Sequence, residues 1–257
     1  MLAGPAPRIV SVLSAVGSDE KTSTLLNLAA SLHRAGCDVL LLDACSATNA
    51  LAHRLGAARA ATLMQVARQE RGLNEVVQRT AQGFSVATMT RETMRGTAFD
   101  ADQSRRLANA FAVLAGQSDI LLIDAELDAD GGFPVAAMQR GDIVVQVANN
   151  ATSITAAYAI IKRVCALLGR RQFGILVTGA SGSEARQVYE NMAQAASRYL
   201  AVPLVSVGWV PVDADLKRAN DLGRAVIDAF PMAGAAVAFR RLAGHFVNAG
   251  AAMPALV

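Results

Sequence analysis

The sequence predicts a doubly wound α/β fold, a mostly parallel seven- to eight-stranded sheet with helices on both faces. Two observations carry this. Short apolar, β-branched runs alternate with longer stretches of helical period, the pattern of parallel strands joined by crossover helices. The chain of 257 residues is 53% hydrophobic and 18% charged, a composition that fills a large core and stands far from that of disordered chains.

Taken in order, the apolar runs too short for helices are read as buried strands at 8–13, 38–43, 84–88, 120–124, 142–148, 173–178 and 204–210. The stretches of helical period are read as helices at 21–35, 102–115, 153–168, 183–199 and 235–247, with shorter ones near Leu51, Ala61, Leu73 and Ala214. Punctuation supports several of them. Gly36 stops the first helix, Gly169 stops the middle one, and Thr152 or Ser153 caps the start of the latter. No repeat, low-complexity tract or Pro/Ser-rich linker interrupts the alternation, so residues 1–247 are read as one domain and the Ala/Gly-rich 248–257 as a loose tail.

Several function classes are disfavoured. The net charge is +3 and the pI about 9.0, but the basic residues are scattered rather than clustered, which argues against direct nucleic-acid binding. Cys37, Cys45 and Cys165 are odd in number and lack C-x-x-C spacing, so neither a disulfide framework nor a structural metal is expected. The longest apolar stretches are broken before the roughly 18 residues of a membrane span. Met1 to Pro7 lacks a signal-peptide charge and core, so a cytoplasmic location is expected.

The segment after the first strand, Ser14-Ala15-Val16-Gly17-Ser18-Asp19-Glu20-Lys21-Thr22-Ser23, stands where a phosphate-binding loop would. Such a loop needs glycines that let backbone N–H groups curl round phosphate, a Lys for the β/γ oxygens, and a Ser/Thr hydroxyl for Mg²⁺. Lys21 and Thr22 are in place; the residue before the Lys is Glu20 and only Gly17 is a glycine. A carboxylate about 4 Å from bound phosphate costs roughly 4 kcal/mol at a near-surface dielectric unless it swings out. The bland alternative is an ordinary strand-to-helix turn capped by Ser18 or Asp19. Two further strands end in carboxylates, Asp43 and Asp124, and in a doubly wound sheet such ends can converge on one site.

Together Lys21-Thr22-Ser23, the run 37–43 and the run 120–124 resemble the MinD/ParA class of deviant Walker ATPases. Within that class the chain is most similar to the FlhG/FleN regulators of flagellar number. The finer likeness rests on 62–66, 73–77, 207–213, 224–231, 238–243 and above all the Thr152-Ser153-Ile154-Thr155 to Lys162 run, and it spans residues 8–247. It implies Lys21 on the phosphates and Thr22 and Asp124 on Mg²⁺. Asp43 would be a switch carboxylate and the catalytic candidate, with Gly17, Ser18 and Ser23 in the loop and Thr178 where the family places a base-contacting Asn. Departures accompany these matches. Val16 replaces the signature Lys that reaches a partner subunit's nucleotide, Ser18 and Glu20 replace two glycines, and Cys45 replaces the carboxylate that positions water.

Phosphoryl transfer depends on positioning and electrostatics, so these losses predict a pseudo-ATPase that does not hydrolyse, while binding of ATP or ADP with Mg²⁺ stays open. The resemblance implies protein partners: a FlhF-type GTPase, switch-complex components of the basal body, or a flagellar transcription activator. Helices around Tyr158 and Lys162, or Tyr189, would present the binding face, with the chain a monomer or homodimer. It also allows a peripheral contact at the inner face of the membrane near the flagellar pole, through Phe239, Leu242 and Phe246; packing of that last helix on the sheet is favoured. Two alternatives stand beside this: an ATP-driven switch that dimerises on ATP, and an accessory protein of cellulose synthesis of the BcsQ type, which shares the Asp-Ala-Cys of 43–45.

Overall fold

Eight strands share one sheet in the computed structural model, which describes residues 6–45, 50–92, 100–128 and 131–248. They are β1 (Arg8–Ser14), β2 (Val39–Asp43), β3 (Gln78–Arg79), β4 (Ser85–Thr88), β5 (Ile120–Asp124), β6 (Asp142–Ala148), β7 (Phe173–Thr178) and β8 (Leu204–Val210). Their spatial order is β3-β4-β2-β5-β1-β6-β7-β8. All neighbours are parallel except β3, which pairs antiparallel with β4. The first strand is central, and the chain fills one side of it before the other. The switch point, where such sheets open a crevice at the carboxyl ends of the strands, therefore lies at the end of β1.

Alternation along each strand sends successive side chains to opposite faces. Val10 and Val12 of β1 join Leu41 and Leu122 beneath the helices α1 (Ser18–Arg34) and α9 (Gly234–Asn248). Leu13 of β1, Leu42 and Ile123 face the other way, beneath α4 (Ala101–Ala115), α5 (Ala151–Leu168) and α6 (Gly182–Leu200). Shorter helices complete the layers: α2 (Ala50–Arg54), α3 (Leu63–Ala67), α7 (Ala214–Asp221) and α8 (Val226–Ala229). The backbone entering β6 approaches β1 so closely at Gly141 that a Cβ there would lie 2.1 Å from the Ile9 carbonyl oxygen.

The observed helices differ from the expected ones in instructive ways. The middle helix is capped by Asn150, whose side chain accepts from Ser153 N at 2.9 Å, rather than by Thr152 or Ser153. That frees the Ser153 hydroxyl to accept from Ala148 N and donate to Ala15 O, tying the turn after β1 to the start of α5. Near Ala61 the helix starts at Leu63, because Thr62 and Gln65 form a reciprocal capping box. Near Leu73 there is a 3₁₀ turn, Leu73–Glu75.

Helix α9 extends to Asn248, one residue into the expected tail; residues 249–257 lie outside the described residues. Its Phe239, Leu242 and Phe246 are buried against the sheet, so the face a lipid contact would use is spent in the core. Broken apolar runs had implied that no segment could span a bilayer, yet α5 is long and apolar enough by length and composition. It carries Lys162 and Arg163, and its Ser153, Ala157, Ile161 and Val164 stripe is buried on the sheet at helical spacing.

Candidate functional site

The turn after β1 is short. Ala15 to Gly17 connect the strand to α1, whose first residue is Ser18; the expected start was Lys21. Gly17 is the N-cap at φ −61°, with no side-chain cap bond, so the expected caps Ser18 and Asp19 are already inside the helix. Lys21 N donates to Gly17 O at 3.1 Å, closing an α-helical turn over the residues that would otherwise wrap a phosphate. The replaced glycines account for this. Ser18 and Glu20 adopt helical angles without strain and lack the conformational freedom that favours an open loop. The first N–H groups of the helix have no intrahelical acceptor, as at any helix. Asp19 and Glu20 place two carboxylates in that first turn, which satisfies its dipole from within the chain.

Lys21 turns inward. Its Nζ donates to Ala125 O at 2.7 Å and pairs with the Asp124 carboxylate, with Lys21 8% and Asp124 3% exposed. Among the described residues, Asp124 Oδ1 has no partner other than that ammonium. Register places Asp43 directly beside Asp124 on the neighbouring strand. Asp43 accepts from Ala52 N at 3.0 Å and Cys45 N at 3.3 Å. Burial first, and the Asp124 charge, push its carboxyl up to about 6, against the pull of those two N–H groups and of Lys21. Cys45, where the resemblance implies a carboxylate, directs its thiol at Glu126 Oε2, 3.4 Å away.

Glu20 swings to the far side of the turn. Its Oε1 accepts from the Thr178 hydroxyl at 2.5 Å, at the end of β7. Behind Thr178 stands buried Gln146, whose amide donates to Thr24 Oγ1 at 3.0 Å and leaves Oε1 without a partner. Ser23 faces away from the crevice and exchanges hydrogen bonds with Asn220 at 3.0 and 2.7 Å. Asn27 completes that seam, accepting from Val226 N at 2.6 Å and donating to Ser23 O at 2.8 Å.

Lys21, Asp43 and Asp124 are thus brought together at the ends of β2 and β5. Thr22 is buried beside them, and Gly17 and Ser18 are exposed at the helix start. Thr178 joins Glu20, and Ser23 belongs to a structural seam. Sequence reasoning missed Gln146, Asn27 and Asn220. Gln146 had a signal, a lone amide in the apolar run Ile143 to Val147. In this arrangement the residues do not fit a Mg-nucleotide. The lysine is neutralised, the loop is helical, and a carboxylate is held at the helix start.

No protein-family model matches the chain. Antiactivator FleN of Pseudomonas aeruginosa is 29% identical over 239 residues, covering 92% of this chain and 85% of that protein. Among solved structures, the septum site-determining protein MinD of Pyrococcus horikoshii complexed with Mg-ADP superposes with a TM-score of 0.65 at 21% identity, covering 94% of this chain and 96% of that one. A ParA family ATPase of Chlorobium tepidum gives 0.67 at 17% identity, covering 95% and 100%. The chain has the fold of MinD and ParA and is similar to FleN along nine-tenths of its length.

Proposed function

We propose that this chain is a FlhG/FleN-like regulator of flagellar number, placement and basal-body assembly that acts by binding other proteins, with its strand-end site held shut by its own side chains. One observation supports this most directly: Lys21, the residue that would hold phosphate, is buried in an ion pair with Asp124 under a closed helical turn. The FleN relative is named an antiactivator, a role exerted on another protein. By the resemblance, the partners are a FlhF-type GTPase, switch-complex components or a flagellar transcription activator, met in the cytoplasm at the flagellar pole.

The MinD neighbour was solved with Mg-ADP, so the competing reading is a working nucleotide switch. That reading needs Lys21 to leave Asp124 and the first turn of α1 to unwind. Calorimetric titration with Mg-ATP and Mg-ADP, followed by a phosphate-release assay on the same sample, separates the two. The proposal expects no binding at millimolar nucleotide and no release; micromolar affinity with turnover overturns it. Flagellar counts in a deletion strain test the cellular role, and the chain with Lys21→Met and Asp124→Leu together, which removes the pair without stranding a buried charge, is expected to restore them as well as the unaltered one.

A further inference from the structure

At the edge of the sheet where β3 lies, a cavity of about 490 Å³ opens between the segment 56–61, the 3₁₀ turn and Gln78. Its shape has a local cause. Gly56 takes φ +72° after α2, and Ala57 N returns to Ala52 O at 2.8 Å, so the chain leaves the helix in a tight turn that forms one wall. Arg91 braces this wall from below, donating to Ala60 O at 2.6 Å and Ala57 O at 3.3 Å. On the opposite side Arg71 meets Glu75 at 3.3 Å, while the other Glu75 oxygen accepts from Gly72 N at 2.8 Å.

Arg59, Arg71 and Arg91 set three positive charges against the one carboxylate of Glu75, an excess of two (3 − 1) on the cavity lining. Glu75 is already committed to Arg71 and Gly72. Arg59 has no partner among the described residues. Gln65 spends its Oε1 on Thr62 N, at 3.0 Å, and keeps its amide hydrogens for the cavity. Free donors therefore outnumber free acceptors around a concave, charge-rich space whose volume lies within the roughly 300–1,000 Å³ of small-molecule sites. The lining has no aromatic or large aliphatic anchor of the kind on which protein partners build affinity, which favours a small polar ligand over a peptide.

We propose that this cavity binds a compact phosphate-bearing anion of about mononucleotide size, held by Arg59 and Arg71, with Gln65 and Gln78 reaching its uncharged part. A phosphate dianion neutralises the excess of two, and guanidinium forks match its oxygens in pairs. Its lining shares no residue with the strand-end site, and the proposal stands whether or not that one is shut.

AMP is the probe, with succinate as the dicarboxylate control. Titration followed by ¹H–¹⁵N NMR on the full chain is expected to shift the amides of Gly56, Ala57 and Ala61, to leave Gly17 to Thr22 in place, and to weaken as salt is raised. Arg59 is exposed, so Arg59→Ala leaves the core intact and is expected to lower AMP affinity about tenfold, the scale of one charge-assisted hydrogen bond; Arg59→Lys, which keeps charge but loses the fork, falls between. Succinate binding as tightly as AMP overturns the phosphate assignment. Overturning the site itself takes either shifts confined to Gly17 to Thr22 or an Arg59→Ala affinity equal to that of the unaltered chain.

Discussion

Replacing Lys21 by Met, Asp124 by Leu, and both together tests whether the strand-end charges are an internal pair. Both residues are almost fully buried, and Asp124 Oδ1 has only the Lys21 ammonium. Removing the lysine leaves Asp124 beside Asp43 with no cation between them. Removing the aspartate leaves an ammonium held only by Ala125 O, at 2.7 Å. Breaking a buried pair from one side costs about 3–5 kcal/mol, whereas replacing both partners by apolar groups of similar volume is about neutral or better. Each single change should thus be strongly destabilising and the double change close to the unaltered chain, a coupling of several kcal/mol. Urea unfolding at neutral pH reads it: with a slope of about 3 kcal/mol/M, each single variant should lose about 1 M or more in midpoint. Single losses under about 1 kcal/mol, or a double loss equal to the sum of the singles, would refute the buried pair. Lys21 would then be a solvated lysine ready for phosphate.

Three further outcomes follow from the same geometry. Val16→Lys with Glu20→Gly weakens the first helical turn by about 1 kcal/mol through the glycine, frees Thr178 and restores a cation. Mg-ATP affinity measured by calorimetry should become detectable, and a variant still silent at millimolar nucleotide would mean that erosion of the loop alone does not explain the closure. Asp43 holds its proton up to about pH 6 in the folded chain against the ordinary 3.8. Its contribution to stability is therefore full below about pH 4 and is lost as pH rises through 6, by up to about 3 kcal/mol at about 1.4 kcal/mol per unit. Denaturant midpoints of Asp43→Asn should lack that loss, and an identical pH slope in both chains would count against it. Asn27→Ala strands the buried Val226 N–H and should cost about 1–3 kcal/mol, seen as a lower Tm with the secondary structure retained.

Much of this was legible because parallel strands buried on both faces read as unbroken apolar runs, and all seven such runs became strands. The eighth, Gln78–Arg79, is two exposed polar residues on the sheet edge and carries no such signature. Convergence of Lys21, Asp43 and Asp124 was also readable, since strand ends meet at the switch point of the sheet. What the sequence withheld were contacts between distant segments. Nothing near Glu20 announces Thr178, and nothing near Ser23 announces Asn220; both depend on how α1 is rotated on the sheet. Its early start at Ser18 has a local cause, because replacing glycines removes phosphate contacts and also favours a gain of helix.

That gain links the departures at the site to one another. With Ser18 and Glu20 helical, the start of α1 presents free N–H groups that attract negative charge, and Asp19 and Glu20 supply it from within the chain. Glu20 is then steadied by the hydroxyl that Thr178 offers in place of the amide that the resemblance implies. In the same arrangement Lys21 and Asp124 pair with each other. Lys21, Asp124 and Glu20 each have a partner within the chain, so restoring any one residue leaves the others satisfied. Single reversions of Val16 or Glu20 should therefore gain little nucleotide affinity alone, and the double change should exceed the sum of the two in a calorimetric cycle. Additive gains would show instead that the departures arose independently and that no concerted closure holds the site.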